Sequence, residues 1–379
     1  MSVNRFAPDG AGCGVGDPEG AVGGYEALRR PRIAGCVAVC RGRPADGLCS
    51  GPVPGDASSE NAPSIRPAWC ANVVAAARVR RGEFVVVAVD EPLLAEAELL
   101  LAAIADAGAR TRIEVLPAEP EEELSSDLRE SALATDVRIA LWQRPRRQTA
   151  AGRSLFELVR SRGGRFVTMP LMTRELLERE ASRPPPKLAG SLRRLLAELD
   201  GIRDLRLQGR AGTDVRLAVE GVRWQADGLP LEPGGLINYP SGEVYALPRS
   251  ADGVVVADLT VPLVADGPLR APVTITFDHG RVASIEGGEG DEAARLRELV
   301  DGAGEGAERV AEVGFGMNPT LEPRGHVLID EKVAGTAHVA IGSNTHMGGT
   351  QAASIHVDCV FSGAEAWADG RRVKLPNAA

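Results

Sequence analysis

Residues 311–361 read AEVGFGMNPTLEPRGHVLIDEKVAGTAHVAIGSNTHMGGTQAASIHVDCVF. Four of the chain's five histidines fall here (His326, His338, His346 and His356), among Glu312, Asp330, Glu331, Lys332 and Asp358. Glycines cut the stretch into short apolar runs of strand length, too short for a helical repeat. Metal-ligating side chains packed this densely on strands make a metal site the first reading to test.

The run 354–361 (SIHVDCVF) reads as a strand, so His356 and Asp358, two residues apart, project side by side from one face. An imidazole beside a carboxylate suits Zn²⁺, Mn²⁺, Co²⁺ or Fe²⁺; a hydrogen-bonded His–Asp pair is the alternative. His338 sits on a second short strand between Gly335 and Gly342, either as a ligand or as a buried core histidine. Glu312 stands where a strand end meets the glycine-rich VGFGMNP, a place where a buried carboxylate needs a partner or an ion. Further back, the turn of Pro240, Ser241 and Gly242 presents Glu243 at the start of another strand, unless it is simply an exposed turn residue. His326, after Pro323, Arg324 and Gly325, reads as a turn residue outside the site. Two Glu, two His and one Asp are the inventory of a two-ion hydrolytic centre, where divalent ions polarise a carbonyl and activate water.

Working outward, the pattern predicts an α/β N-terminal domain followed by a mixed α+β, β-rich metal-binding domain. Helices are expected at 68–78, 92–107, 154–161 and 173–182, and strands at 84–90, 112–116, 136–142 and 165–169. Their alternation suits a mostly parallel sheet with flanking helices. No G-x-G-x-x-G follows the first strand, so a dinucleotide site is not expected. After the stiff 183–187 (RPPPK) comes one amphipathic helix, 188–200. Short strands follow at 204–208, 213–219, 254–263, 273–277 and 282–286, of both orientations, with one more helix between Gly290 and Gly304. The expected divisions are a loosely packed extension at 1–66, an α/β domain at 67–185 and the metal domain at 186–379. Within the extension, 33–40 could form a single strand.

The chain has 379 residues, 44% of them hydrophobic, and a net charge of −9, which argues against nucleic-acid and anionic-membrane partners. The start, MSVNRFAPDG, lacks the basic end and apolar run of a signal peptide, so a cytoplasmic enzyme is expected. Five of six cysteines lie in the first seventy residues, but their spacings do not repeat the knuckles of zinc sites. Lysine is scarce, only Lys187, Lys332 and Lys374 among 43 basic residues. One of the three lies in the opening stretch, where its chemistry differs from that of arginine.

Four motifs carry a family resemblance: N-x-P-S-G-E-V at 238–244, E-x-G-F-G-x-N-P at 312–319, D-E-K-x-x-G-T-x-H-V-A-I-G at 330–342 and H-x-D at 356–358. Together they resemble the aminopeptidase T/S family of dinuclear metallopeptidases across 212–361. The resemblance implies Glu243, Glu312 and His338 near one ion and His356 and Asp358 near the other. Glu312 would bridge the two and serve the nucleophilic water. It also implies two divalent ions (Zn, Co, Mn or Mg), a homodimer, and a small peptide or amine-bearing metabolite as substrate. Lys332 is expected to touch substrate or a ligand, or to pair with Asp330 or Glu331. The family tyrosine seven positions after the first metal histidine is here Thr345, and the adjacent His346 is a candidate proton donor or an exposed loop histidine. The alternative is a ring-cleaving dioxygenase resembling 2,5-dihydroxypyridine dioxygenases, with Fe(II) on His338, His356 and Asp358. A non-catalytic binding protein on the same fold is the third possibility.

Overall fold

Continuous β-branched runs form strands that can be covered on both faces, and 84–89 (FVVVAV) is the clearest of them. The computed structural model describes residues 66–117, 123–143, 150–265 and 267–376. The possible strand at 33–40 and Cys13, Cys36, Cys40 and Cys49 lie outside the described residues. Cys70 and Cys359 are buried free thiols.

The first layer runs α1 (Ala68–Ala76), β1 (Phe84–Val89), α2 (Leu94–Asp106), β2 (Arg110–Val115), α3 (Ser126–Ala134), β3 (Val137–Leu141), α4 (Ala150–Ser161), β4 (Arg165–Met169) and the short α5 (Arg174–Leu176). A wide π-type turn, Leu177–Ala181, prolongs α5. The strands are parallel, and β1 and β3 lie at the centre. Every residue of β3 and β4 is buried. α3 has no counterpart in the pattern reading, because it buries only Ser131 and Ala132 and carries no apolar stripe.

The chain then forms α6 (Ala189–Leu199), β5 (Asp204–Gln208), β6 (Asp214–Ala218) and β7 (Gln225–Asp227) before returning to the first layer. There β8 (Leu236–Asn238) pairs in parallel with β4 as the fifth strand. The parallel sheet thus takes its last strand from beyond the expected boundary at 185. Three residues are too few to show a period, and β8 lies far along the chain from β4. β9 (Glu243–Ala246), β10 (Ser250–Ala257), β11 (Val273–Asp278), β12 (Arg281–Gly287), α7 (Glu292–Gly302), β13 (Val310–Gly316), the single turn α8 (Val327–Asp330), β14 (Thr336–Gly342), β15 (His356–Ser362), β16 (Glu365–Ala368) and β17 (Arg371–Val373) complete it.

Two antiparallel sheets result, a seven-stranded one ordered β12-β11-β10-β6-β5-β16-β17 and a five-stranded one ordered β15-β14-β13-β9-β7. Strands of both orientations were expected in the second half; apart from β8, those described are antiparallel. β10 starts at Ser250 and ends at Ala257, earlier than expected at both ends, with Asp252 and Gly253 paired within the ladder.

One apolar core lies among the antiparallel sheets, α6 and α7. A second covers the parallel sheet and α1 and α2, and it also takes in Leu321, Leu328, Ile329 and Val333. The loop around α8 is therefore rooted in the parallel layer. Buried Glu180 ties the same region down, meeting Arg183 at 2.8 Å and Arg324 at 2.6 Å. No helix among the described residues is long and apolar enough to cross a membrane.

Beneath the parallel sheet, Arg138 (1% exposed) meets Glu114 at 2.6 Å, and Ser131 donates to the other Glu114 oxygen. Removing one partner strands a charge in an apolar layer. Arg138→Met should therefore cost about 3–5 kcal/mol in urea unfolding. Arg112→Met, which removes a half-exposed arginine 3.9 Å from the same glutamate, should cost less than about 1 kcal/mol.

Candidate metal centre

Strand alternation decides which side chains meet in the five-stranded sheet. Across the ladder Glu312 faces Ala340 and Ala340 faces Asp358; Gly314 faces His338; Gly316 faces Glu243; Gly342 faces His356; and Asp227 faces Glu243. Residues two apart on a strand share a face. Asp227, Glu243, Glu312, His338, His356 and Asp358 therefore all project from one side. The intervening Val313, Phe315, Val339, Ile341, Val357 and Cys359 point the other way, into the apolar core.

Two glycines make room for this face. A Cβ on Gly314 would lie 2.2 Å from Cε1 of His338, so the imidazole lies across the bare backbone of its neighbour strand. On Gly316 a Cβ would meet the Val333 carbonyl oxygen at 2.0 Å, so glycine lets the Lys332 loop approach β13.

Among the described residues, two buried clusters have ligand atoms within 4.8 Å of one another. They are Glu243–Glu312–His338 and Glu312–His356–Asp358, and they share Glu312. His338 Nε2 lies 3.5 Å from Glu243 Oε1 and 3.6 Å from Glu312 Oε1. His356 Nε2 lies 3.3 Å from Glu312 Oε2 and 3.2 Å from Asp358 Oδ1. Glu312 thus points one oxygen at each imidazole. Nδ1 of His356 donates to the Ser343 carbonyl oxygen at 2.7 Å, which fixes the ring with Nε2 toward the carboxylates. Both ring nitrogens of His338 are buried without a hydrogen-bond partner. An orphaned imidazole facing two carboxylates, on a donor set of nitrogen and oxygen, fits a divalent ion. A further group, Asp252, Asp278 and His279, is fully exposed.

The sequence-predicted ligands Glu243, Glu312, His338, His356 and Asp358 are all brought together here. His346 is exposed on the single turn Thr345–Met347, with its ring edge-on to His356 at 4.7 Å between centroids. Lys332 is fully buried. Its Nζ donates to Glu243 Oε2 at 2.9 Å and to Glu331, and lies 4.0 Å from Asp227 Oδ2. Of its two expected partners it meets Glu331; the buried Asp330 instead accepts from Thr260 and from the backbone N–H groups of Arg324 and Gly325. His326 bonds the Leu171 carbonyl oxygen at 2.8 Å, away from the centre. Asp227 escaped sequence reasoning because QADG reads as a turn; only its register opposite Glu243 reveals it.

Charges at the centre compensate one another. Burial lowers the pKa of an imidazole, but Glu312, Glu243 and Asp358 outweigh it and lift His338 to about 9. Burial likewise opposes charge on His356, and Asp358 and Glu312 overcome it, raising the pKa well above normal. For Glu312 burial favours the neutral acid, yet His338 and His356 hold it well below the usual carboxylate range. Burial lifts Asp227 to about 7 against the pull of Lys332, and Glu331 to about 8.

Fold and site together define an enzyme scaffold with a buried carboxylate–histidine centre. A family model described as NicX: 2,5-dihydroxypyridine 5,6-dioxygenase matches residues 154–375, and the chain belongs to that family. Aminopeptidase AmpS of Bacillus subtilis (strain 168) is 31% identical over 142 residues, covering 35% of this chain and 33% of AmpS. The chain thus matches about a third of that relative's length. Among solved structures, 2,5-dihydroxypyridine dioxygenase from Pseudomonas putida KT2440 superposes with a TM-score of 0.63 at 20% identity, over 82% of this chain and 96% of that one. Wild-type AmpT from Thermus thermophilus gives a TM-score of 0.59 at 18% identity, over 81% and 96%. The sequence resemblance put the aminopeptidases first, whereas the matching family model is the dioxygenase's. Similar proteins represent both activities, and the fold is common to both.

Two outcomes are expected. Gly314→Ala should push the His338 ring aside and weaken Mn²⁺ binding on the order of tenfold or more in calorimetric titration. Ligation needs neutral imidazoles, and raised pKa values mean that protons compete with the ion. Affinity should therefore fall as pH drops from about 9, roughly tenfold per unit for each proton displaced.

Proposed function

We propose that the chain is a two-ion hydrolase of amide or peptide bonds, aminopeptidase-like, acting on a small peptide or an amine-bearing metabolite. The observation that carries this reading is the pair of clusters sharing Glu312, with one imidazole in each. Glu243 and His338 would hold one ion, His356 and Asp358 the other, and Glu312 both. Divalent ions in such a pair supply Lewis acidity, polarising a carbonyl and acidifying water.

The protein's own groups do the rest. Glu312, with an oxygen toward each half of the centre, takes the proton of the attacking water. His346, exposed beside His356, would return a proton to the leaving amine. The elements of water are thereby added across the C–N bond, OH to the acyl carbon and H to the nitrogen. Lys332 is too deeply buried to touch substrate and instead fixes Glu243. A homodimer, as the aminopeptidase resemblance implies, belongs to the same proposal.

The family match favours a second reading, a ring-cleaving dioxygenase with one Fe(II) on His338, His356 and Asp358. Nε2 of His338 is 4.0 Å from Asp358 Oδ1, longer than its distances to Glu243 and Glu312. His338 thus sides with the two glutamates.

Metal analysis separates the two readings. Two divalent ions per chain, chelator-sensitive hydrolysis of aminoacyl amides, and a folded but inactive Glu312→Gln are the expected results. One tightly held iron with oxygen uptake on dihydroxypyridines would replace this proposal with the second.

A further inference from the structure

We propose that Lys332 is a built-in cation of the centre, its ammonium standing where a further metal ion would otherwise bind among Asp227, Glu243 and Glu331. The inference deepens the two-ion reading and rests on it for the number of ions bound beside Lys332.

The geometry is that of a buried ammonium among carboxylates. Carboxylates from three separate segments converge on Nζ: Asp227 from β7, Glu243 from β9 and Glu331 from the end of α8. The ammonium is fully buried, without solvent to share its charge. Asp227 Oδ2 is also buried, has no hydrogen-bond partner and lies 4.0 Å from Nζ. That oxygen is held by charge alone. With 43 basic residues and only three lysines, the chain places a lysine here. A compact ammonium suits a pocket of converging oxygens, whereas a guanidinium presents a planar fork.

Asp227, Glu243 and Glu331 are buried or nearly so, and Nζ of Lys332 is the cation they share. Lys332 also takes Glu243 Oε2, so only Oε1 faces His338. Glu243 is thereby left one oxygen, Oε1, with which it would hold an ion.

The test is Lys332→Met, whose side chain ends one atom short of Nζ and leaves the place of the ammonium open. The purified full chain is loaded with Mn²⁺, and ions per chain are counted by elemental analysis and by electron paramagnetic resonance. The variant is expected to carry one ion more than wild type, and Asp227→Asn combined with Lys332→Met to return to the wild-type number. An unchanged count in Lys332→Met, or an extra ion retained in the double variant, would overturn the proposal. If Lys332→Met does not fold, the charge-restored double variant decides. Recovery of folded protein with the wild-type count supports the counter-ion role, and failure of both overturns it, since restoring the charge balance would then not replace Lys332. Because the increment is measured against wild type, it is judged separately from the two-ion reading, which falls if wild type itself holds one ion.

Discussion

Burying several carboxylates on one face of one sheet is the constraint to which the rest of the structure answers. Each charge taken from water costs several kcal/mol on the order of magnitude, recovered only through partners with good geometry. The five-stranded sheet cannot provide all of those partners. Lys332 comes from a loop whose Leu328, Ile329 and Val333 are embedded in the core of the parallel layer. Only four residues, the turn of Tyr239, Pro240, Ser241 and Gly242, separate Glu243 at the start of β9 from β8, which closes the parallel sheet. Both layers therefore have to be folded and packed before the carboxylates are paired. This explains why an apparently separate α/β layer accompanies a centre to which none of its helices contributes a ligand.

The junction is held by charges of another kind. Glu180, on the wide turn after α5, accepts from Arg324 on one oxygen and forms an ion pair with Arg183 at the other, and Arg324 also reaches Glu322. Arg324 and Gly325 then donate backbone N–H groups to Asp330. The sequence D-E-K is thus divided by its surroundings: Asp330 folds the loop, and Glu331 and Lys332 serve the centre. Adjacent residues of like chemistry have separate duties because the short turn α8 points them in different directions.

Much of this was legible in the sequence, and the reason is physical. His356 and Asp358 two apart on a strand, or Glu312 before a run of glycines, are local patterns whose geometry follows from the strand period. The parallel layer was legible for the same reason, since runs such as 84–89 admit few other conformations. What could not be read depends on register. Asp227 becomes part of the centre only because β7 pairs with β9, and β8 joins the parallel sheet only through a long return of the chain. α3 has no apolar stripe to announce it. Lys332 was recognisable as unusual by its rarity, but its choice of Glu243 and Asp227 over Asp330 is decided by loop geometry that no spacing encodes.

The division of the similar proteins between hydrolysis and ring cleavage is understandable from the same face. A mononuclear oxygenase site needs two imidazoles, one carboxylate and open positions, all of which His338, His356 and Asp358 can supply. A two-ion hydrolytic site needs those residues and two more carboxylates, one of them shared. The scaffold that carries the larger set also carries the smaller, so residue identity alone does not separate the chemistries. What separates them is whether Glu243 is available to an ion. Its Oε2 is engaged by Lys332 and its Oε1 is turned toward His338, 3.5 Å away. Were Glu243 committed wholly to Lys332, a single ion on the remaining residues would be the natural state. One oxygen left free and aimed at an unpartnered imidazole is the ground on which the proposed second ion, and with it the proposed hydrolysis, rests.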